Sequence, residues 1–151
     1  GALILQENGL ILKALYPLEE TWLMPQSAAT SANEFSLVTR LDYGGFNALF
    51  TGDIGMETEK RIIKDGALLE CDLLKVAHHG SKYSSDESFL SFADPKLAVI
   101  SVGRNNYGHP GAEALSRLEN QGATVYPTLE RAGILVEVKK DENKMRITTV
   151  Q

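Results

Sequence analysis

Apolar residues along this chain fall into short runs broken by glycine, asparagine and proline, the rhythm of brief strands punctuated by turns. Residues 2–6 and 10–15 are apolar runs flanking Glu7-Asn8-Gly9. An Asn-Gly pair accepts the positive φ of a tight two-residue turn, so a hairpin is predicted at the outset. Residues 36–41 and 46–50 flank Tyr43-Gly44-Gly45 and predict a second hairpin, whose later strand runs into Thr51-Gly52-Asp53. Between the hairpins, residues 17–33 contain Pro17, Pro25 and the small polar run Gln26-Ser27-Ala28-Ala29-Thr30-Ser31, and they predict a loop anchored by Trp22.

Beyond Asp53 the pattern changes to strands alternating with helices, which predicts a layered α/β arrangement over an all-β sandwich. Residues 56–65 are rich in helix formers and close at Gly66, and the strand 71–77 follows. Ser84 and Ser85 are candidate caps for a helix carrying Phe89, Leu90 and Phe92, which Pro95 ends before the strand 97–101. A loop over 104–110 precedes a helix with Leu115 and Leu118 on one face and Gly122 as its stop. Residues 125–126, 134–138 and 145–150 predict the closing strands.

Chemistry concentrates where these strands stop. The chain holds three histidines, and two of them form His78-His79-Gly80-Ser81 directly after an apolar strand. The ends of strands in α/β sheets are where such folds place ligands and metals, although a histidine pair in an ordinary surface turn is the plainer alternative. Asp53, the pair, and His109 lie at three successive strand ends, 25 and 30 positions apart (53 to 78, 79 to 109), so they can converge. Carboxylate oxygen and neutral imidazole nitrogen suit zinc, manganese or iron; taken alone, Gly-Asp after a strand is equally a turn or cap.

Adjacent residues on extended backbone point to opposite sides, so the two histidines divide the work unless the chain turns sharply between them. His79 is the candidate ligand and His78 the candidate proton-transferring or substrate-orienting group, with the exchanged assignment as the alternative. Ser81 either orients an imidazole or caps the next segment. His109 is either an acid or further ligand, or a structural loop residue. Lys82 and Arg104 are placed to meet phosphates, or are solvated surface charges.

With 151 residues and 43% hydrophobic content, one domain with its own core is expected. A net charge of −5 excludes a broad basic surface able to hold nucleic acid unaided. The single cysteine, Cys71, sits in an apolar run and reads as a buried thiol. No apolar stretch reaches the roughly 20 residues of a membrane span, and the chain reads as soluble.

Several ordered motifs carry a family resemblance: Leu41-Asp42-Tyr43-Gly44-Gly45-Phe46, Leu49-Phe50-Thr51-Gly52-Asp53, Leu73-Leu74-Lys75-Val76-Ala77-His78-His79-Gly80-Ser81, Ile100-Ser101-Val102-Gly103 and Asn106-Tyr107-Gly108-His109-Pro110. Together they resemble the metallo-β-lactamase-like domain of ComEC-type DNA-uptake proteins, over roughly residues 10–138. The resemblance implies an αββα sandwich with a mixed sheet and flanking helices, two metal ions (zinc or manganese), and hydrolysis of DNA phosphodiesters during uptake. It implies Asp53 and His79 as metal ligands, His78 and His109 in catalysis, and Ser81, Lys82 and Arg104 toward substrate. It further implies a soluble domain of a bacterial membrane protein.

The His-x-His-x-Asp-His segment that supplies most ligands in this family is absent from the sequence. The chain therefore looks like the carboxy-terminal portion of the domain, expected to need the amino-terminal half for activity, to bind metal poorly alone, and to self-associate as a dimer through uncovered sheet surface. A hydrolase of a small-molecule ester, lactam or thioester on the same fold is one alternative, and a non-catalytic structural or DNA-contacting module is another.

Overall fold

A computed structural model describes residues 1–18, 31–131, 133–139 and 145–150. Residues 19–30, with Trp22 and most of the expected loop, lie outside the described residues. Strands β1 (Ala2–Glu7) and β2 (Leu10–Tyr16) form the first hairpin, and Asn8 (φ 49°) and Gly9 (φ 86°) supply its two left-handed turn residues. β3 (Val38–Tyr43) and β4 (Phe46–Phe50) form the second around Gly44 and Gly45. These four strands make an antiparallel meander, to which β5 (Leu73–Lys75), β6 (Leu97–Ile100) and β7 (Thr124–Pro127) add in parallel, giving a seven-stranded mixed sheet in sequential order.

Parallel neighbours need crossovers, and helices α1 (Met56–Lys64), α2 (Glu87–Ala93) and α3 (Ala112–Asn120) provide them. The period of two along each strand divides the sheet into two faces. Leu49, Leu74, Ala98 and Ile100 join Ile62, Phe89, Leu90 and Leu118 from the helices in the larger core. Their sequence neighbours Ala48, Leu73 and Leu97, with Phe46, face the other way and pack against Val136, Val138, Met145 and Ile147. Those four belong to a separate two-stranded antiparallel sheet, β8 (Gly133–Val138) with β9 (Met145–Val150). The fold is thus mixed α/β, with helices on one face of the main sheet and a second sheet on the other. Leu74 is 1% exposed, so Leu74→Ala should cost about 2–5 kcal/mol, read as a lowered urea midpoint with unchanged slope.

Two expectations need correction. The strand over 71–77 pairs as a ladder only at 73–75, because the chain leaves the sheet and turns at Ala77–Gly80. The cap of α2 is Asp86, whose carboxylate accepts from the Ser88 amide at 3.0 Å. Ser84 and Ser85 are buried instead, and the Ser84 hydroxyl donates to the carbonyls of Ala77 (3.2 Å) and Ser81 (3.0 Å). Asp94, in a left-handed conformation, stops the helix one residue ahead of Pro95.

Candidate functional site

β4, β5 and β6 run parallel, so the segments that follow them emerge on one rim of the sheet. Main-chain bonds bind these segments together. The buried Thr51 hydroxyl donates to the Lys75 carbonyl at 2.6 Å, and the His78 amide donates to the Gly52 carbonyl at 3.0 Å. Across the next gap, the Gly111 amide donates to the Gly80 carbonyl at 2.8 Å.

His78 (φ 48°, ψ 43°) and His79 (φ 54°, ψ 26°) are both left-handed, which is how the chain turns sharply between them. Such a conformation is unfavourable for a side chain with a β-carbon, so two in succession must be held by their surroundings. The Ser81 amide bonds the His78 carbonyl at 2.9 Å, and Ser84 secures Ala77.

The two rings diverge despite the turn, with centroids 6.5 Å apart. His79 Nδ1 lies 2.7 Å from the Ser101 carbonyl oxygen. Because a carbonyl only accepts, Nδ1 carries the proton, and in the neutral ring Nε2 is the nitrogen that presents a lone pair. That Nε2 is 3.6 Å from Asp53 Oδ1 on a partly exposed rim. His78 points elsewhere: its Nε2 is 3.4 Å from the Asn33 amide nitrogen, and its ring lies 5.7 Å from that of His109. Burial, and then the nearby charges of His78 and His79, lower the His109 pKa from its ordinary value. Asn105 fixes the His109 backbone, accepting from its amide at 3.1 Å and donating to its carbonyl at 2.7 Å.

Asp53 and His79 thus offer one oxygen and one nitrogen aimed toward the same space, a donor pair suited to a divalent transition metal. Among the described residues no group of three or more His, Cys, Asp or Glu is arranged to hold a metal. The residues fit part of a metal site, two donors where about four are usual around zinc.

Ser81 is 2% exposed and its hydroxyl accepts from the Tyr83 amide at 3.3 Å, as a capping residue does. Lys82 is exposed, its ammonium 5.1 Å from the centre of the Tyr83 ring, and Arg104 is exposed on the loop that carries His109. Cys71 is buried as expected, which pushes its thiol pKa up to about 12.

Sequence reasoning missed what holds the segment 81–86. Glu59 on α1 is fully buried and accepts from the amides of Ser85 at 2.6 Å and Asp86 at 2.8 Å. Burial pushes its carboxyl up to about 7, against the lowering effect of those two bonds. Arg117 on α3 donates to the carbonyls of Lys82 (2.9 Å), Ser84 (2.8 Å) and Ser85 (2.7 Å). The signal for Glu59 was present: it stands three positions before Ile62, on the apolar stripe of α1. Asn33, in a 3-10 turn at Ala32–Phe35, carried none.

Gly80 (φ 77°) closes the turn where a β-carbon would lie 2.8 Å from Pro110 Cβ and 3.3 Å from Ile100 Cγ2. Gly80→Ala should therefore cost about 1–3 kcal/mol and push the His109 loop away from His78. The histidine ring resonances in an NMR spectrum should move with it; unchanged shifts would show that the methyl is accommodated without moving the loop.

No family model matches the chain. It is similar to ComE operon protein 3 of Bacillus subtilis, 37% identical over 110 residues that make up 72% of this chain and 14% of that protein. It is also similar to recombination protein 2 of Haemophilus influenzae, 34% identical over 121 residues (79% of this chain, 15% of that protein). Competence protein ComA of Neisseria gonorrhoeae is 36% identical over 98 residues, 64% of this chain and 14% of that protein. These names fit the competence proteins of the ComEC type, and the chain spans about one seventh of the length of the relatives it matches.

Proposed function

We propose that this chain is part of a metallo-β-lactamase-like, metal-dependent hydrolase domain that cleaves DNA phosphodiesters during DNA uptake in natural transformation. The names of the relatives support the role in competence. The observation that carries the chemistry is the pairing of His79 with Asp53. A tautomer fixed by the Ser101 carbonyl turns the free Nε2 toward a carboxylate at a strand end.

In this reading Asp53 Oδ1 and His79 Nε2 hold the metal, and the remaining donors come from outside the 151 residues. Zinc or manganese, when bound, supplies positive charge at the phosphoryl group and lowers the pKa of a water. His109, whose pKa burial lowers, and His78, oriented by Asn33, move the proton at the leaving oxygen. Lys82 and Arg104 meet the flanking phosphates, while Ser81 keeps the turn in place. No helix among the described residues is long and apolar enough to cross a membrane.

The test compares this chain with a longer protein carrying the additional sequence of its relatives. Bound transition metal and manganese-dependent degradation of DNA are measured for each. The longer protein should bind metal and cut DNA, and the chain alone should do neither well. A longer protein that binds no metal and leaves DNA intact would overturn the reading in favour of a structural or DNA-contacting module.

A further inference from the structure

The donor pair at the rim depends on which nitrogen of His79 carries the proton. A histidine side chain free in water favours the tautomer with its proton on Nε2, which here would turn an N–H toward Asp53 and leave no lone pair there. The Ser101 carbonyl, 2.7 Å from Nδ1, selects the other tautomer. A carbonyl does this only if it is aimed, and Ser101 has little of its own to aim it. It is exposed and lies past the end of β6, whose pairing with β7 stops at Ile100 opposite Pro127, a residue with no amide proton.

The residue after Pro127 supplies what the ladder no longer does. Thr128 Oγ1 accepts from the Val102 amide at 2.8 Å and donates to the Val102 carbonyl at 2.9 Å, with the Ile100 carbonyl at 3.4 Å as a weaker second acceptor. The Thr128 main chain is itself held in a 3-10 turn, Thr128–Glu130, where its carbonyl accepts from the Arg131 amide at 3.0 Å. Its β-branched side chain has few rotamers open to it, so the backbone largely fixes where the hydroxyl lies.

The Val102 N–H and the Ser101 C=O are the two ends of one peptide unit. That unit is planar, and in its trans form the two groups point in opposite directions. Holding the N–H on Thr128 therefore sets the direction of the C=O, toward His79 Nδ1. An engaged N–H also polarises its own peptide and strengthens the carbonyl as an acceptor. A continuous path results, from the Thr128 hydroxyl through the Ser101–Val102 peptide to the ring whose far nitrogen lies 3.6 Å from Asp53 Oδ1.

We propose that Thr128 is a positioning residue for His79, holding the imidazole through the Ser101–Val102 peptide as the Nδ1–H tautomer with Nε2 free to act as a donor. Its use to the protein rests on the metal-site reading above, but the tautomer itself requires no metal.

The tautomer is read from the ring ¹⁵N shifts of the three histidines in the metal-free chain. The spectra are taken in EDTA at about pH 8.5, well above the roughly 6.5 at which ordinary histidine loses its proton. In the native chain His79 should be protonated on Nδ1 and bare on Nε2. Thr128→Val keeps the branched shape and removes the hydroxyl, and the ratio of Nδ1–H to Nε2–H forms should fall about fivefold to tenfold, as the loss of one ordinary hydrogen bond implies. Thr128→Ser should restore the ratio. His78, whose ring meets Asn33 instead, should keep its native spectrum in all three proteins. A role for Thr128 in stability alone would leave the His79 ratio where it was.

An unchanged ratio in Thr128→Val, or a native His79 found as the Nε2–H form, would overturn the proposal. If Thr128→Val does not fold, amide hydrogen exchange in the native chain decides: the Val102 amide should be protected, and free exchange there would overturn the proposal as well. In the longer protein, affinity for Mn²⁺ should fall about tenfold in Thr128→Val and return in Thr128→Ser. A longer protein that binds no metal removes the metal-site reading alone, because the tautomer in the metal-free chain decides the role of Thr128 in either case.

Discussion

Asp53→Ala in the longer protein is expected to lower manganese-dependent DNA degradation on the order of 10³-fold, with little change in stability. The size of the effect follows from what the carboxylate would hold: charge at the reacting phosphoryl group depends on an ion that Asp53 helps to fix. Stability should be spared because Asp53 is partly exposed and its turn is secured by other groups, the Thr51 hydroxyl to Lys75 and the Gly52 carbonyl to His78. His79→Ala should fall in the same class and lose metal in proportion. His109→Ala should keep metal while losing about 10²-fold or more in rate, the signature of proton transfer. Initial rates together with metal content per chain separate these outcomes. An Asp53→Ala protein with full metal and full rate would remove Asp53 from the site.

Glu59→Ala is expected to give a large loss of stability. It strips two buried amides of their acceptor and frees the segment that carries Ser84 and Ser85, at a cost of about 2–5 kcal/mol. For a 151-residue chain that corresponds to roughly 5–15 °C in melting temperature. The same carboxyl predicts a pH dependence. Its pKa rises from 4.5 to about 7 on folding, so the folded state holds the proton more tightly than the unfolded state. The stability this provides is fully present below about pH 4.5 and is lost as pH rises through about 7. The contribution is of order 3 kcal/mol. Asp86 opposes ionisation and Arg117 favours it, while Lys60 carries a further charge near Asp86. Denaturant titrations across this range should show the slope in the native chain and lose it in Glu59→Gln, which cannot titrate. An identical slope in both proteins would assign the dependence to other groups.

Much of the fold was legible because its turns are written in residues with strong backbone preferences. Asn8-Gly9 and Gly44-Gly45 declared both hairpins, and the alternation after Asp53 declared the parallel half of the sheet. The approach of His79 to Asp53 and of His109 to His78 followed from their places at strand ends. What stayed hidden was set by contacts between segments distant in sequence. The left-handed pair His78-His79 has no local signature, since histidine does not demand that conformation; bonds from Gly52 to His78, Ser84 to Ala77 and Gly111 to Gly80 hold the backbone on and around it. Asp86 is the cap because the helix starts at Glu87, while the Ser84 hydroxyl and the Ser85 amide are bonded elsewhere. Glu59 looked like one more charge on an acidic helix, and only the packing of α1 against the 81–86 segment shows why it is inside.

The bonds that join Thr51 to Lys75, His78 to Gly52 and Gly111 to Gly80 have a consequence for how this rim can be altered. Every one uses main-chain atoms or a residue that is not itself a candidate ligand. The shape of the rim is therefore separable from the identity of the donors mounted on it, in the way a socket is separable from its pins. Under the proposed metal-site reading, positions 53 and 79 are therefore where donor identity can be exchanged while these bonds are kept.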